Sequence, residues 1–193
     1  DYAWNMDAYK SDASWRRAVR YLMPGHAAAL QVFASHNSDL GGNEHDFRRE
    51  ESEQIRPALE RLLDAYCREG KREVAAASAV TEECERMIAS ADLLLASDEN
   101  PALIKEISPW LIQFKLLGEY GREVLCMLAA QCDGKKTELE KAASHAKALQ
   151  VLMKKIDATY NQNGFQPGVK TGSCHLKPAF DRLYQEVVQR TGK

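Results

Sequence analysis

Leu103-Ile104-Lys105-Glu106-Ile107-Ser108-Pro109-Trp110-Leu111-Ile112-Gln113-Phe114-Lys115-Leu116-Leu117-Gly118-Glu119-Tyr120-Gly121-Arg122-Glu123-Val124-Leu125-Cys126-Met127-Leu128 is the stretch that decides the fold. Within it Leu103, Ile107, Trp110, Leu111, Phe114, Leu117, Gly121, Val124, Leu125 and Leu128 recur at helical spacing and make one long apolar stripe. No strand is that long, and nothing in the run alternates with period two. Gly118 and Gly121 lie on or beside the stripe. A glycine inside a helix costs about 0.5–1 kcal/mol relative to alanine. Two of them predict a neighbouring helix at close approach. Pro109 predicts a kink or a break, with the stripe continuing on both sides.

The rest of the chain reads the same way. Asn100-Pro101 is an N-cap and first-turn pair for this long helix. Before it, Ala77, Thr81, Cys84, Ile88, Ala91 and Leu95 share a face of one helix. Ile55, Leu59, Leu62, Leu63 and Tyr66 form the stripe of another, which contains Pro57 and ends at Gly70. Trp15, Val19 and Leu22 line a first helix capped by Ser11 or Asp12, and Pro24 suits the first turn of a second helix with Leu30 and Phe33. After the long helix, Leu139, Ala142, Ala146, Leu149, Met153, Ile156 and Tyr160 define an amphipathic helix with a solvated lysine face. Phe180, Leu183, Tyr184, Val187 and Val188 define the last. Short links between long stripes predict an all-α fold, an antiparallel helical bundle of about six to seven helices.

Composition narrows the function. The chain has 193 residues, 45% of them hydrophobic, enough for one domain with a real core. A net charge of −2 and a pI near 6.3 argue against an electrostatic nucleic-acid binder. No apolar run approaches the roughly 20 residues of a membrane span. Cys67, Cys84, Cys126, Cys132 and Cys174 are odd in number and fit no zinc spacing. They read as free, mostly buried thiols.

Chemistry-bearing motifs are scarce. There is no P-loop, dinucleotide fingerprint or Gly-x-Ser-x-Gly elbow, so no cofactor is expected. His36-Asn37-Ser38-Asp39 with Glu44-His45-Asp46 is dense enough to suggest a metal-dependent enzyme, yet it matches no ligand motif and reads better as a hydrogen-bonded surface loop. No metal ligand is assigned. The loop around Phe165, Gln166 and Lys170 is long for a bundle connection. Two readings stay open for it: packing on its own domain, or contact with a neighbouring domain, subunit or substrate.

The opening, Asp1-Tyr2-Ala3-Trp4-Asn5-Met6-Asp7-Ala8-Tyr9, places three aromatics before the first helix. A free terminus does not bury such area alone, so the chain is expected to be a piece of a longer protein. Asp1-Tyr2-Ala3-Trp4-Asn5, Tyr9 and Trp15 resemble the segment that closes the catalytic barrel in glycoside hydrolase family 84. The resemblance continues through Leu22-Met23-Pro24, His36-Asn37-Ser38-Asp39-Leu40 and Arg48-Arg49-Glu50-Glu51-Ser52. It returns at Pro109-Trp110-Leu111, Gln113-Phe114-Lys115-Leu116-Leu117-Gly118, Asn161-Gln162-Asn163, Gln166-Pro167-Gly168-Val169-Lys170 and Lys177-Pro178. It spans nearly the whole chain and looks closest to bacterial members.

That resemblance implies β-N-acetylglucosaminidases, including O-GlcNAc hydrolases. In them a barrel with adjacent aspartates works with the substrate's own acetamido group, an exception to the two-carboxylate scheme. This sequence has no Asp-Asp pair, so no catalytic residue is carried over. The implied identity is the C-terminal helical domain after the barrel. Residues 1–24 would be the barrel's end or the seam to it, and residues 25–193 the bundle. Tyr2, Trp4, Tyr9 and Trp15 would meet the barrel. The implied partners are that barrel, a second copy in a homodimer, and a glycoprotein or glycan substrate reached through the parent. The implied location is extracytoplasmic, periplasmic or secreted. The alternative is an independent helical module that binds a protein or a glycan.

Overall fold

The computed structural model describes residues 11–36, 52–69, 73–132, 136–162 and 176–191. Among them are seven α-helices and no strand: α1 (Ser11–Leu22), α2 (Ala27–His36), α3 (Ser52–Glu69), α4 (Val74–Leu95), α5 (Pro101–Cys132), α6 (Lys136–Gln162) and α7 (Leu176–Thr191). A 3-10 turn at Pro24–His26 joins α1 to α2, with proline at its first position. The expected helical bundle is the observed fold.

α5 is the axis. At 1.5 Å per residue its 32 residues run about 48 Å. α4, α6 and α7 all pack on it. That explains why α5 is apolar over more than one stripe. Leu111, Phe114, Leu117, Val124 and Leu128 are sealed from solvent, and Tyr120 and Met127, beside that stripe, are buried too. α4 is the second hub, touching α2 and α3 as well as α5, and α7 closes against α3. One core joins Val19 and Met23, Leu30 and Phe33, Leu59 and Leu62, Met87 and Leu94, Leu149 and Ile156, and Phe180 and Val187.

A single helix runs through Pro109. Proline has no N–H to donate to the carbonyl four residues back, which is that of Lys105. The neighbouring Ser108 hydroxyl donates to that carbonyl instead, at 3.1 Å. The start of α5 is capped as its sequence predicts: Asn100 Oδ1 accepts from the Leu103 N–H at 3.2 Å. Both stripe glycines are close-approach positions. A Cβ on Gly118 would stand 3.0 Å from the Cys84 backbone oxygen of α4, and one on Gly121 would overlap Cys84 and Phe180.

Three expectations shift in detail. On α4, Ala77, Cys84 and Ala91 of the expected stripe are fully buried, and so are Val80, Met87 and Leu94 beside it, whereas Thr81, Ile88 and Leu95 are half-buried. Helices on both sides of α4 rotate its centre of burial towards them. On α6, Ala142, Leu149 and Ile156 are buried but Leu139 is exposed. The principal neighbour of α6 is α5, and one neighbour covers only a narrow face. Cys84 is a buried free thiol, yet Cys126 and Cys132 are exposed on the outer side of α5. No helix among the described residues is long and apolar enough to cross a membrane.

Candidate functional site

The buried polar groups are the places where chemistry could hide. His36, at the end of α2, and Glu83, in the middle of α4, are each 4% exposed. The His36 Nε2 lies 2.5 Å from Glu83 Oε1. Arg86, one turn along α4, donates to Glu83 Oε2. The Phe114 ring packs against the imidazole at 5.4 Å between centroids. Burial pushes the Glu83 carboxyl up. The hydrogen bond and charge of His36, helped by Arg86, outweigh it and hold the carboxyl below its ordinary value. Both carboxylate oxygens are thus spent on protein donors. The arrangement ties α2 to α4 and leaves no oxygen for a substrate.

A second cluster fastens the first two helices to the opposite end of the bundle. Glu99, in the α4–α5 link, accepts from the Gly25 N–H at 2.7 Å and meets His26 Nδ1 at 2.9 Å. The Gly25 N–H first, then His26, lower its carboxyl pKa. Beside it, Asn100 Nδ2 donates to the Leu22 carbonyl at 3.2 Å. A side chain at Gly25 would crowd the Glu99 carboxylate, with a Cβ at 3.3 Å from either oxygen.

Further polar contacts tie other helices together. The Tyr120 hydroxyl of α5 donates to Asp181 Oδ1 of α7 at 2.6 Å, and Lys177 Nζ holds the other oxygen at 2.8 Å. Burial first, and Asp181 second, push the Tyr120 hydroxyl far above its ordinary pKa. Glu123 of α5 meets His145 Nδ1 of α6 at 2.6 Å. Gln131 accepts from Tyr66 and donates to the Val187 carbonyl at 3.1 Å, joining α3, α5 and α7. Burial lifts the Cys84 thiol to about 12, so it is no nucleophile at neutral pH. Gln113 Nε2 is buried without a hydrogen-bond partner.

None of these groups forms a nucleophile–base pair. No group of three or more His, Cys, Asp or Glu among the described residues is placed to hold a metal ion. His36 does not sit on an exposed loop, as the cluster around it suggested; its ring is an interior partner of Glu83. His45 and the rest of that cluster lie outside the described residues. So do Tyr2, Trp4 and Tyr9, and so do Phe165, Gln166 and Lys170. Trp15 lies on α1, but its side chain is outside what is described.

Sequence reasoning missed the His36–Glu83–Arg86 tie. A signal existed: Glu83 interrupts the apolar run Val80, Cys84 and Met87 at helical spacing, with Arg86 three residues on.

Comparison with known proteins agrees with this inventory. The solved structure of CpGH84B superposes with a TM-score of 0.75 at 19% identity, covering 94% of this chain and 29% of that one. The structure of CpGH84D does so with a TM-score of 0.74 at 22% identity, covering 97% of this chain and 31% of that one. At such identities the likeness shows the fold. This chain spans under a third of the length of those proteins. A family model described as the bacterial GH84 post-catalytic domain matches residues 51–184, well over half of the chain. The chain therefore belongs to the family of helical domains that follow the catalytic domain in bacterial GH84 proteins.

Proposed function

We propose that this domain is the non-catalytic support of a β-N-acetylglucosaminidase. A preceding barrel removes terminal N-acetylglucosamine from glycoconjugates or O-GlcNAc proteins, and this bundle braces it. The observation that carries the reading is the fate of the interior polar groups. In a domain of the post-catalytic family, the carboxylates of Glu83, Glu123 and Asp181 each join two helices, to His36, His145 and Tyr120. A glycosidase needs a carboxyl group free to face its substrate.

In this reading residues 1–24 are the seam with the barrel, and Tyr2, Trp4, Tyr9 and Trp15 pack against it. Phe165, Gln166 and Lys170 belong to a loop that reaches the barrel or its substrate. The reading frame upstream of Asp1 provides the test. It is expected to encode a barrel with two adjacent aspartates, and a frame encoding anything else overturns the proposal. Titration of the isolated chain with N-acetylglucosamine-bearing glycopeptides is expected to give no saturable binding. Saturation would favour an independent glycan-binding module.

A further inference from the structure

The outward face of α6 carries a positive field that the bundle does not neutralise. Lys141 to Ile156 holds four lysines and no carboxylate. At about 100° of rotation per residue, Ser144, Lys147, Ala148, Lys154, Lys155 and Ala158 all lie within about 60° of Val151. Every one of them is exposed, and Val151 itself is 54% exposed. Glu140 bounds this face at its N-terminal end, and Asp157 stands about 120° from its centre. Ala142, Leu149 and Ile156, on the opposite side of the helix, are the buried residues.

The nearby carboxylates are committed elsewhere. On α5, Glu123 meets His145 and Glu119 lies beside Lys115. On α6, Glu138 holds Lys141. Other cations of the bundle surface are matched: Lys115 by Asp92, Arg122 by Glu85 and Lys177 by Asp181. Lys147, Lys154 and Lys155 meet no carboxylate among the described residues. Lys147 and Lys154 stand about 10 Å apart along the helix axis, so their charges form a line.

We propose that this face of α6 binds a linear anionic polysaccharide, sulfated or carboxylated, carried by the glycoconjugates on which the parent enzyme acts. The inference rests on the functional reading above for the source of that chain. The occupant follows from what the face has and what it lacks. Lysines are point charges on flexible stems, suited to anionic groups presented in series. The apolar side of α6 is turned to α5, so only Val151 is left to enter a bilayer, too little for an interfacial helix. Between Ser144 and Ala158 there is no Phe, Tyr or Trp to stack on a base or to anchor a protein interface. A neutral N-acetylglucosamine unit offers the lysines no charge, so the hydrolysed sugar is not itself the ligand.

The test titrates the 193-residue chain with heparin at several salt concentrations. Saturable binding is expected, weakening with salt as counterions return to the polyanion. Lys147→Gln and Lys154→Gln should each reduce the slope of log Kd against log salt by about one, with the unfolding midpoint unchanged. Arg61→Gln, at an exposed site on α3, should leave the slope as it is. No binding, or binding that the lysine substitutions do not weaken, overturns the proposal. So does an equal loss from Arg61→Gln, which would mean attraction to any cation of the surface. Equal or tighter binding to phosphatidylserine vesicles also overturns it and would mean a membrane surface. Hydrolysis by the longer parent chain keeps the two claims apart. Turnover of an aryl N-acetylglucosaminide with no heparin binding refutes the polysaccharide site and leaves the functional reading standing. Heparin binding without turnover refutes that reading and leaves the lysine face a polysaccharide site in a different parent protein.

Discussion

Gly121 of α5 and Phe180 of α7 touch where no side chain fits between them: a Cβ at position 121 would overlap the Phe180 ring and stand 2.7 Å from the Cys84 sulfur. The close approach of α4 and α7 to the central helix depends on that absent atom. Gly121→Ala gains helix propensity of up to about 1 kcal/mol. Overpacking costs about 1–3 kcal/mol and outweighs it. Net destabilisation of about 1–2 kcal/mol is expected, read as a lower urea midpoint with unchanged slope. Gly118→Ala should behave alike, because the atom it meets at 3.0 Å is backbone that cannot swing away.

The His36–Glu83 pair makes a different prediction. Both side chains are nearly sealed, so removing one leaves the other without its partner in the interior. Glu83→Ala is expected to cost about 3 kcal/mol or more. The sign of the pH dependence follows from the lowered carboxyl pKa. The stabilisation is full above the unfolded value of 4.5 and is lost as pH falls through the lower folded value. The stability difference between the parent chain and Glu83→Gln, measured by urea unfolding, should therefore shrink as pH drops below about 4.5.

Glu99 predicts a local effect. Glu99→Ala removes the acceptor of the Gly25 N–H and the partner of His26. Amide hydrogen exchange should accelerate at Gly25 and along α1, while α4 and α5 keep their protection. Acidification should act as the substitution does, since a lowered carboxyl pKa means the grip is lost as pH falls through it. Uniform loss of protection across the bundle would contradict this local role.

Tyr120→Phe tests the tie between α5 and α7. It keeps the ring against Phe180, at 6.2 Å between centroids, and removes the bond to Asp181. A loss of about 1–2 kcal/mol is expected by thermal or urea unfolding.

The helices themselves were legible because periodicity is a local property. The stripe from Leu103 to Leu128, the Asn100-Pro101 start and the two glycines of α5 all mean in the structure what they mean in the sequence. What the sequence could not supply was the neighbour of each face. Thr81, Ile88 and Leu95 lie beside the deepest row of α4 because α2 and α3 press on its other side. Leu139 looked as buried as Leu149, but it lies off the face of α6 that its principal neighbour α5 covers. His36 is the sharpest case. Its sequence neighbours are loop formers, whereas its partner Glu83 is 47 residues away. The break in the apolar run at Glu83 marks a buried polar group, but periodicity does not say which distant residue it meets.

The central claim is that this domain supports hydrolysis without performing it. The most direct measurement is the rate at which the purified 193-residue chain hydrolyses an aryl N-acetylglucosaminide. The account predicts no release of the aryl group above the buffer rate at any protein concentration. Release proportional to protein concentration would contradict it.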